Sequence, residues 1–269
     1  MATPCKPSHA EIAMKTDRPT AIRQHLFAHG YCSIAEIAAA VGASEPTVRR
    51  DLLTLVASGQ ILRSHGGAQI AVSLGTEVAF ESREQINLPA KRAIGQAAYA
   101  MLRPETAVFL AAGTTVLQLA RRLRLNPMPL RVFTNCLPVA QVLMPVAKIS
   151  VTLLGGNLRR QNASMVGPLA ESALTHLWFD QLFLGGGAIS QAGEISSADE
   201  AEARLNALML ARSTAPVIVA DAAKFGAQLT YGIAQLGGGM HVLSDAGLDQ
   251  RWRDRLGDLG CTVALAAPV

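Results

Sequence analysis

The chain has 269 residues, half of them hydrophobic and 16% charged, with a formal net charge of +4. This length suits one large domain or two modest ones, and this composition excludes a globally disordered chain. The mildly basic balance permits a polyanionic partner without demonstrating one. Residues 1–17 have no apolar core of signal-peptide length and read as a flexible arm. The best membrane-span candidate, Ala107–Ala120, is broken by Gly113-Thr114-Thr115. Cys5, Cys32, Cys136 and Cys261 are scattered, with no Cys-x-x-Cys pair and no histidines at zinc-site spacing. Free thiols in a cytoplasmic protein are therefore expected, with no cofactor and no metal.

In chain order, Arg18–Gly30 has a helical pattern, with Ile22 and Leu26 one turn apart and Gly30 as the stop. Ser33-Ile34-Ala35-Glu36 is a capping box that opens a helix with Ile34, Ile37, Ala38 and Val41 inward. Gly42 makes a turn, and Ser44 is placed to cap a third helix with Pro46 in its first turn. Val48, Leu52, Leu55 and Val56 form an apolar stripe on that helix. Glu45, Thr47, Arg49 and Arg50 fall off the stripe, near the end where a recognition helix meets base edges. Gly59 is a plausible left-handed cap, Ile61–Arg63 is extended, and His65-Gly66-Gly67 is a turn. An amphipathic surface helix with an ordinary arginine pair is the competing reading of the third helix alone. Two short helices joined by a glycine turn, then a basic hairpin, make the pattern a winged helix-turn-helix over residues 18–72. Five arginines against three acids leave residues 18–70 at only +2, so placement of Arg49, Arg50 and Arg63 carries the argument rather than bulk charge.

Gln69–Leu88 loses the helical period, and residues 73–88 read as a linker holding a short ordered piece at Glu77–Arg83. From residue 89 to 269 strands and helices alternate. Lys91–Leu102, Thr114–Leu123, Pro138–Leu143 and Ala198–Arg212 are predicted helices. Ala107–Ala111, Arg131–Thr134, Ile149–Leu154, Gln181–Leu184 and Val217–Ala220 are predicted strands. Continuous apolar strands separated by helices indicate an α/β fold with a parallel sheet covered on both faces.

Open α/β sheets bind ligands at the carboxyl ends of their strands. Those ends read Ala111-Ala112-Gly113-Thr114-Thr115, Thr134-Asn135, Gly155-Gly156, Gly185-Gly186-Gly187 and Asp221-x-x-Lys224. A glycine admits an anion to the backbone, and two threonines add hydroxyls at a helix N-terminus. A tight turn capped by threonine explains the same residues without a ligand. Asn135 suits either a sugar hydroxyl or a cap for the next helix.

Glu36-Ile37-Ala38, Ser44-x-x-Thr47-Val48-Arg49-Arg50-Asp51-Leu52 and Arg63-x-His65-Gly66-Gly67-Ala68 resemble the signature of the DeoR family of bacterial transcriptional regulators. Phe80 with Arg83, the Phe109–Thr115 string, Phe133-Thr134-Asn135, Leu153–Leu158, Ser164-x-x-Gly167 and Asp221–Gly226 are similar to that family's sensor domain in order and spacing. The resemblance spans roughly Arg18 to Ala266. It implies an N-terminal winged helix-turn-helix joined to a Rossmann-like parallel-sheet domain, related to ribose-5-phosphate isomerase and glucosamine-phosphate deaminase folds. It implies a phosphorylated sugar as effector, with Gly113, Thr114 and Thr115 on the phosphate and Lys91 and Lys224 supplying positive charge. Two features depart from the family pattern. An acidic residue and a serine commonly precede Gly-Thr-Thr where this chain has Ala111 and Ala112, and a lysine often stands where it has Arg204.

The expected function is regulation of transcription, as repressor of a carbohydrate-utilisation operon relieved by a phosphorylated sugar. Ser44, Glu45, Pro46, Thr47, Arg49, Arg50, Arg63, His65 and Gly66 form the expected surface for double-stranded operator DNA. Lys91, Gly113, Thr114, Thr115, Thr134, Asn135, Gly155, Gly156, Gly185, Gly186, Asp221 and Lys224 form the expected effector site. One winged helix covers little DNA, so a homodimer or homotetramer is expected. The alternatives are an isomerase- or deaminase-like enzyme, for which Glu194, Asp199, Glu200 and Asp221 are the available acids, and a DNA-binding regulator with no sugar-phosphate effector.

Overall fold

The computed structural model of the protein describes residues 18–57, 61–64, 66–70 and 80–267. The expected arm at 1–17, the Gly59 cap, His65 and residues 73–79 of the expected linker lie outside the described residues. The chain divides into two compact units, Met1–Ser73 and Leu74–Val269.

In the first unit, helices α1 (Arg18–His29), α2 (Ile34–Val41) and α3 (Glu45–Ala57) accompany a small antiparallel sheet of β1 (Cys32–Ser33), β2 (Ile61–Ser64) and β3 (Gly67–Ile70), in the order β1-β3-β2. Local chemistry sets the helix ends. The Ser33 hydroxyl accepts from the Glu36 N–H at 3.3 Å while the Glu36 carboxylate accepts from the Ser33 N–H at 2.7 Å. These two bonds satisfy donors that a helix start leaves open. Gly42 closes α2 at φ +62°, a left-handed cap that suits glycine. Ile22, Leu26, Ile37, Val48, Leu52 and Leu55 interlock in one core, and Arg18 pairs with Asp51 at 2.5 Å to tie α1 to α3. Val56, expected on the apolar stripe, is exposed instead, and Val41 is only half-buried. Burial follows Val48, Leu52 and Leu55, and Val56 lies beyond the edge of that face. Gly67 is required where the sheet crowds Cys32, since a β-carbon there would come within 2.3 Å of the Cys32 carbonyl oxygen.

In the second unit, α4 (Phe80–Gln85) and α5 (Leu88–Met101) precede β4 (Ala107–Leu110), α6 (Thr114–Leu125), β5 (Leu130–Thr134), α7 (Leu137–Leu143) and β6 (Ile149–Leu153). A hairpin of β7 (Asn157–Arg159) and β8 (Ser164–Val166) leads to α8 (Pro168–Thr175) and β9 (Phe179–Gly185). Then come β10 (Ala188–Ile189), β11 (Glu194–Ser197), α9 (Glu200–Ala211), β12 (Ser213–Val219), β13 (Tyr231–Gln235), β14 (His241–Asp245), α10 (Gln250–Asp258) and β15 (Thr262–Ala266). Seven strands form one sheet in the order β15-β14-β12-β9-β4-β5-β6, with every neighbouring pair parallel. Successive residues of β4 serve opposite faces. Val108 and Leu110 pack with α5, α6 and α7, while Phe109 and the following Ala111 pack with α8, α9 and α10. Both faces are apolar because both are covered. Prolines sit in the first turns of α5, α7 and α8, where a missing N–H costs nothing.

The sequence reading placed no helix or strand beyond Ala220 and missed the hairpin β7–β8, helix α8 and the side sheet β10-β11-β13. Those strands are two to five residues long, too short to show a period. Phe80–Gln85, within the stretch read as linker, is a helix whose Phe80 is buried in the core of the second unit.

Helices α5 and α6 meet at Gly95, where a β-carbon would come within 2.8 Å of the Gln118 backbone. A Gly95→Ala variant is expected to lose about 1–3 kcal/mol of stability, because neither helix backbone yields to overpacking. Denaturant unfolding followed by circular dichroism checks this, and unchanged stability would refute the close-contact account.

Candidate functional site

The first unit presents Ser44, Glu45, Pro46, Thr47, Arg49 and Arg50 together around the N-terminal end of α3. Val48 is the one buried residue within that stretch. The Ser44 and Thr47 hydroxyls share a hydrogen bond of 2.8 Å, and Arg49 pairs with Glu45 at 3.3 Å one turn away. Arg50 is exposed and has no ion-pair partner among the described residues. Arg63 lies on β2, and the Gly66 carbonyl accepts the Ile34 N–H at 3.0 Å, which pins the hairpin turn to the start of α2. Helix α2 and the hairpin turn are thus tied by a backbone bond.

In the second unit, the chain runs from β4 to β5 and β6 on one side and to β9, β12, β14 and β15 on the other. The order therefore reverses between β4 and β9, and a crevice at the carboxyl ends of two such strands is where α/β sheets take ligands. Gly113 and Gly185 face each other there, with a β-carbon built on Gly113 lying 3.9 Å from the Gly185 α-carbon. Gly113 is the N-cap of α6 and offers no side chain to cap it. Thr114 and Thr115 follow, both buried.

Around this edge the structure gathers three cations and a carboxylate. Lys91 is 3% exposed, and its ammonium donates to the Arg83 carbonyl oxygen. Burial pulls its pKa down to about 8, against the attraction of Asp221 and with the repulsion of Lys224 and Arg83. Burial likewise lowers Lys224, again opposed by Asp221 and reinforced by Arg83. Asp221 is buried and accepts the Asn87 side-chain amide at 2.9 Å. Asn87 is the N-cap of α5, yet it stands at φ +54° with its side chain turned away from the helix.

Other expected site residues have inward tasks. The Thr134 hydroxyl donates to the Leu110 carbonyl at 2.6 Å and accepts the Cys136 N–H at 3.0 Å. The Asn135 side chain accepts the Ala112 N–H at 3.0 Å and donates to the Met165 carbonyl at 3.2 Å. It thereby holds the loop that carries Gly113, and the next helix has Cys136, not Asn135, as its N-cap. Gly155 is exposed, and Gly156, at φ +139°, lies where a β-carbon would meet the Val166 carbonyl oxygen at 2.6 Å. Gly186 packs beside Ile189 and Ile195. Ala111 is fully buried among apolar residues, and Arg204 turns outward to pair with Glu171 at 2.6 Å.

Sequence reasoning missed a buried carboxylate that connects to this region through Asn162 and Arg83. Glu202 is 7% exposed and accepts from the Asn162 amide at 2.5 Å, the Ser164 hydroxyl at 2.9 Å and Arg159 at 3.3 Å. Asn162 in turn accepts from Arg83, which carries the network to α4. The Asp199-x-x-Glu202 spacing resembles a capping box, and Asp199 does accept the Glu202 N–H at 3.0 Å. Glu202 does not reciprocate, because its side chain is directed to the hairpin β7–β8. Asp199 also pairs with Arg159 at 3.0 Å. Cys32, Cys136 and Cys261 are buried free thiols. Among the described residues no helix is long and apolar enough to cross a membrane.

A winged helix-turn-helix in one chain with a doubly covered parallel sheet that carries cations at its carboxyl edge is the architecture of a DNA-binding transcriptional regulator with a second domain. Family models bear this out, the DeoR-like helix-turn-helix domain matching residues 18–73 and the DeoR C terminal sensor domain residues 86–246. The chain belongs to the DeoR family. It is 36% identical to the HTH-type transcriptional regulator GlpR of Haloferax volcanii, over 86% of this chain and 90% of that one. It is 34% identical to a putative aga operon transcriptional repressor of Escherichia coli O157:H7, over 78% of each. Ribose 5 phosphate isomerase A from Neisseria gonorrhoeae matches at 12% identity and a TM-score of 0.39, over 53% of this chain and 54% of that one.

The Lys91 pKa has a consequence for stability. Below about pH 8 the lysine is protonated in both folded and unfolded chains, and its burial cost is carried in full. Between about 8 and its ordinary 10.5 the folded state sheds the proton first, so the Lys91 contribution to stability rises with pH. Wild type is expected to gain on the order of 3 kcal/mol relative to Lys91→Met across that window. Unfolding titrations of both proteins from pH 7 to 10 measure the gap, and a constant gap would contradict the assignment.

Proposed function

We propose that this chain represses a carbohydrate-utilisation operon and is released from DNA by a phosphorylated sugar. The observation that carries the effector reading is the convergence of buried Lys91 and half-buried Lys224 with buried Asp221 at the carboxyl edge of the sheet, in a chain that also bears a winged helix. Buried ammonium groups without enough carboxylate gain most from an anionic ligand. The name of the similar aga operon repressor supports the sign of regulation. In this reading residues 18–72 bind DNA, and the second unit senses, with the α4 part of the expected 73–88 connector packed into its core. Gly113, Thr114, Thr115 and Gly185 receive the phosphate, Lys91 and Lys224 balance its charge, and Asp221 accepts a sugar hydroxyl. Thr134, Asn135, Gly155, Gly156 and Gly186 shape the loops around it. Ser44, Glu45, Pro46, Thr47, Arg49, Arg50, Arg63, His65 and Gly66 meet operator DNA.

Two or four copies presenting paired heads to repeated half-sites account for specific binding better than one small domain does. A sugar phosphate that favours one arrangement of the sensors then shifts the heads away from the operator spacing. We read the second unit as a sensor and not a catalyst. Asp199 caps α9 and pairs with Arg159, Glu194 accepts the Gln228 amide at 3.1 Å, and Asp221 holds Asn87, so these acids have structural partners.

Arg50→Ala is expected to lose about 1–3 kcal/mol of affinity for the duplex that the protein selects, if Arg50 reads a base. Fluorescence anisotropy measures this, and unchanged affinity with an intact fold would remove α3 from the interface. A panel of sugar phosphates, with inorganic phosphate and free sugars as controls, tests the sensor by thermal unfolding. The effector should add about 2.7 kcal/mol at a hundredfold excess over its dissociation constant. Its binding should weaken above about pH 8, where Lys91 loses its charge. Silence across the panel favours a regulator without a sugar-phosphate effector, and turnover of any member would make the unit an enzyme.

A further inference from the structure

Leu53 on α3 is 56% exposed, although the helix buries Val48, Leu52 and Leu55. It stands four residues past Arg49 and three past Arg50, the two spacings that make neighbours on a helix surface. Both arginines are exposed. An apolar side chain one turn from two exposed arginines, one of them paired with Glu45, is a poor seat for an apolar protein partner, because covering that face would strip water from their charges. It is a good seat for a polyanionic groove that also offers an apolar feature. Among base edges in the DNA major groove, that feature is the thymine methyl group.

We propose that Leu53 is a specificity-determining residue, making apolar contact with a thymine methyl in the major groove beside the sites met by Arg49 and Arg50. The proposal rests on the recognition-helix reading given above and adds a base identity to it. Charge selects nucleic acid as the partner, and the exposed leucine one turn further along α3 selects the base.

The probe is the duplex that the full-length protein enriches from a random-sequence pool. Each thymine is replaced singly by deoxyuridine, which lacks only the methyl group. One thymine per half-site should respond with an affinity loss of about fourfold, the worth of one buried methyl-sized group. Leu53→Ala should bind the unmodified duplex more weakly by a similar factor and show no further loss on deoxyuridine at that position. Leu53→Met should keep the response. Leu53 is exposed, so the variants should melt as wild type does. A wild type indifferent to every deoxyuridine would overturn the proposal, as would a Leu53→Ala variant that keeps the full response. A variant that changes only the oligomeric state would assign Leu53 to a contact between copies and overturn it too. Enrichment of no duplex at all would instead defeat the DNA-binding assignment of α3 itself.

Discussion

The second unit depends on how one buried carboxylate is satisfied. Glu202 enters the interior from α9 and is met by Asn162, Ser164 and Arg159, all on or beside the hairpin β7–β8. A buried carboxylate with donors missing costs several kcal/mol, so the hairpin, α9 and, through Arg83, helix α4 are held as one set. The large apolar clusters explain why the sheet is stable. The carboxylate explains why the hairpin has one position against the sheet, since apolar contact alone is not directional. The same constraint reaches the ligand edge, because Arg83 also offers its carbonyl oxygen to Lys91.

Each unit was legible in the sequence to the extent that its structure is local. The capping box at Ser33 and Glu36, the left-handed Gly42 and the buried spacing of Val48, Leu52 and Leu55 are all settled within a few residues. The strands of the parallel sheet were legible because burial on both faces makes them continuous apolar runs. What escaped was chemistry between distant positions. Asn87 and Asp221 are separated by 134 residues, and Glu202 finds partners 38 and 40 residues earlier. Thr134 and Asn135 show the other failure. Polar residues at a strand end suggest a ligand, yet buried backbone groups at the same strand ends also need partners, and here those side chains provide them.

The two units stabilise their critical geometry differently. The first ties α2 to the hairpin by backbone and cap bonds, and holds the helix that carries Arg49 and Arg50 by a small core and the Arg18–Asp51 pair. The second relies on an extensive apolar core, and it can therefore keep two lysines in surroundings that disfavour their charge. A protein of marginal stability can hold such groups only where the fold has free energy in reserve.

The pair of glycines facing each other at the end of β4 and β9 has an evolutionary consequence. A crevice walled there by backbone has no side chains to lose. Short of proline, substitution leaves the hydrogen-bonding groups of a peptide bond unchanged, and a β-carbon at Gly113 or Gly185 would already touch the opposing backbone. Neighbouring side chains such as Ala112 carry no such restriction. On the proposed reading, a lineage built on this frame would change which molecule it answers to by altering the rim, while the part that every such molecule shares would be met by the unchanging main chain.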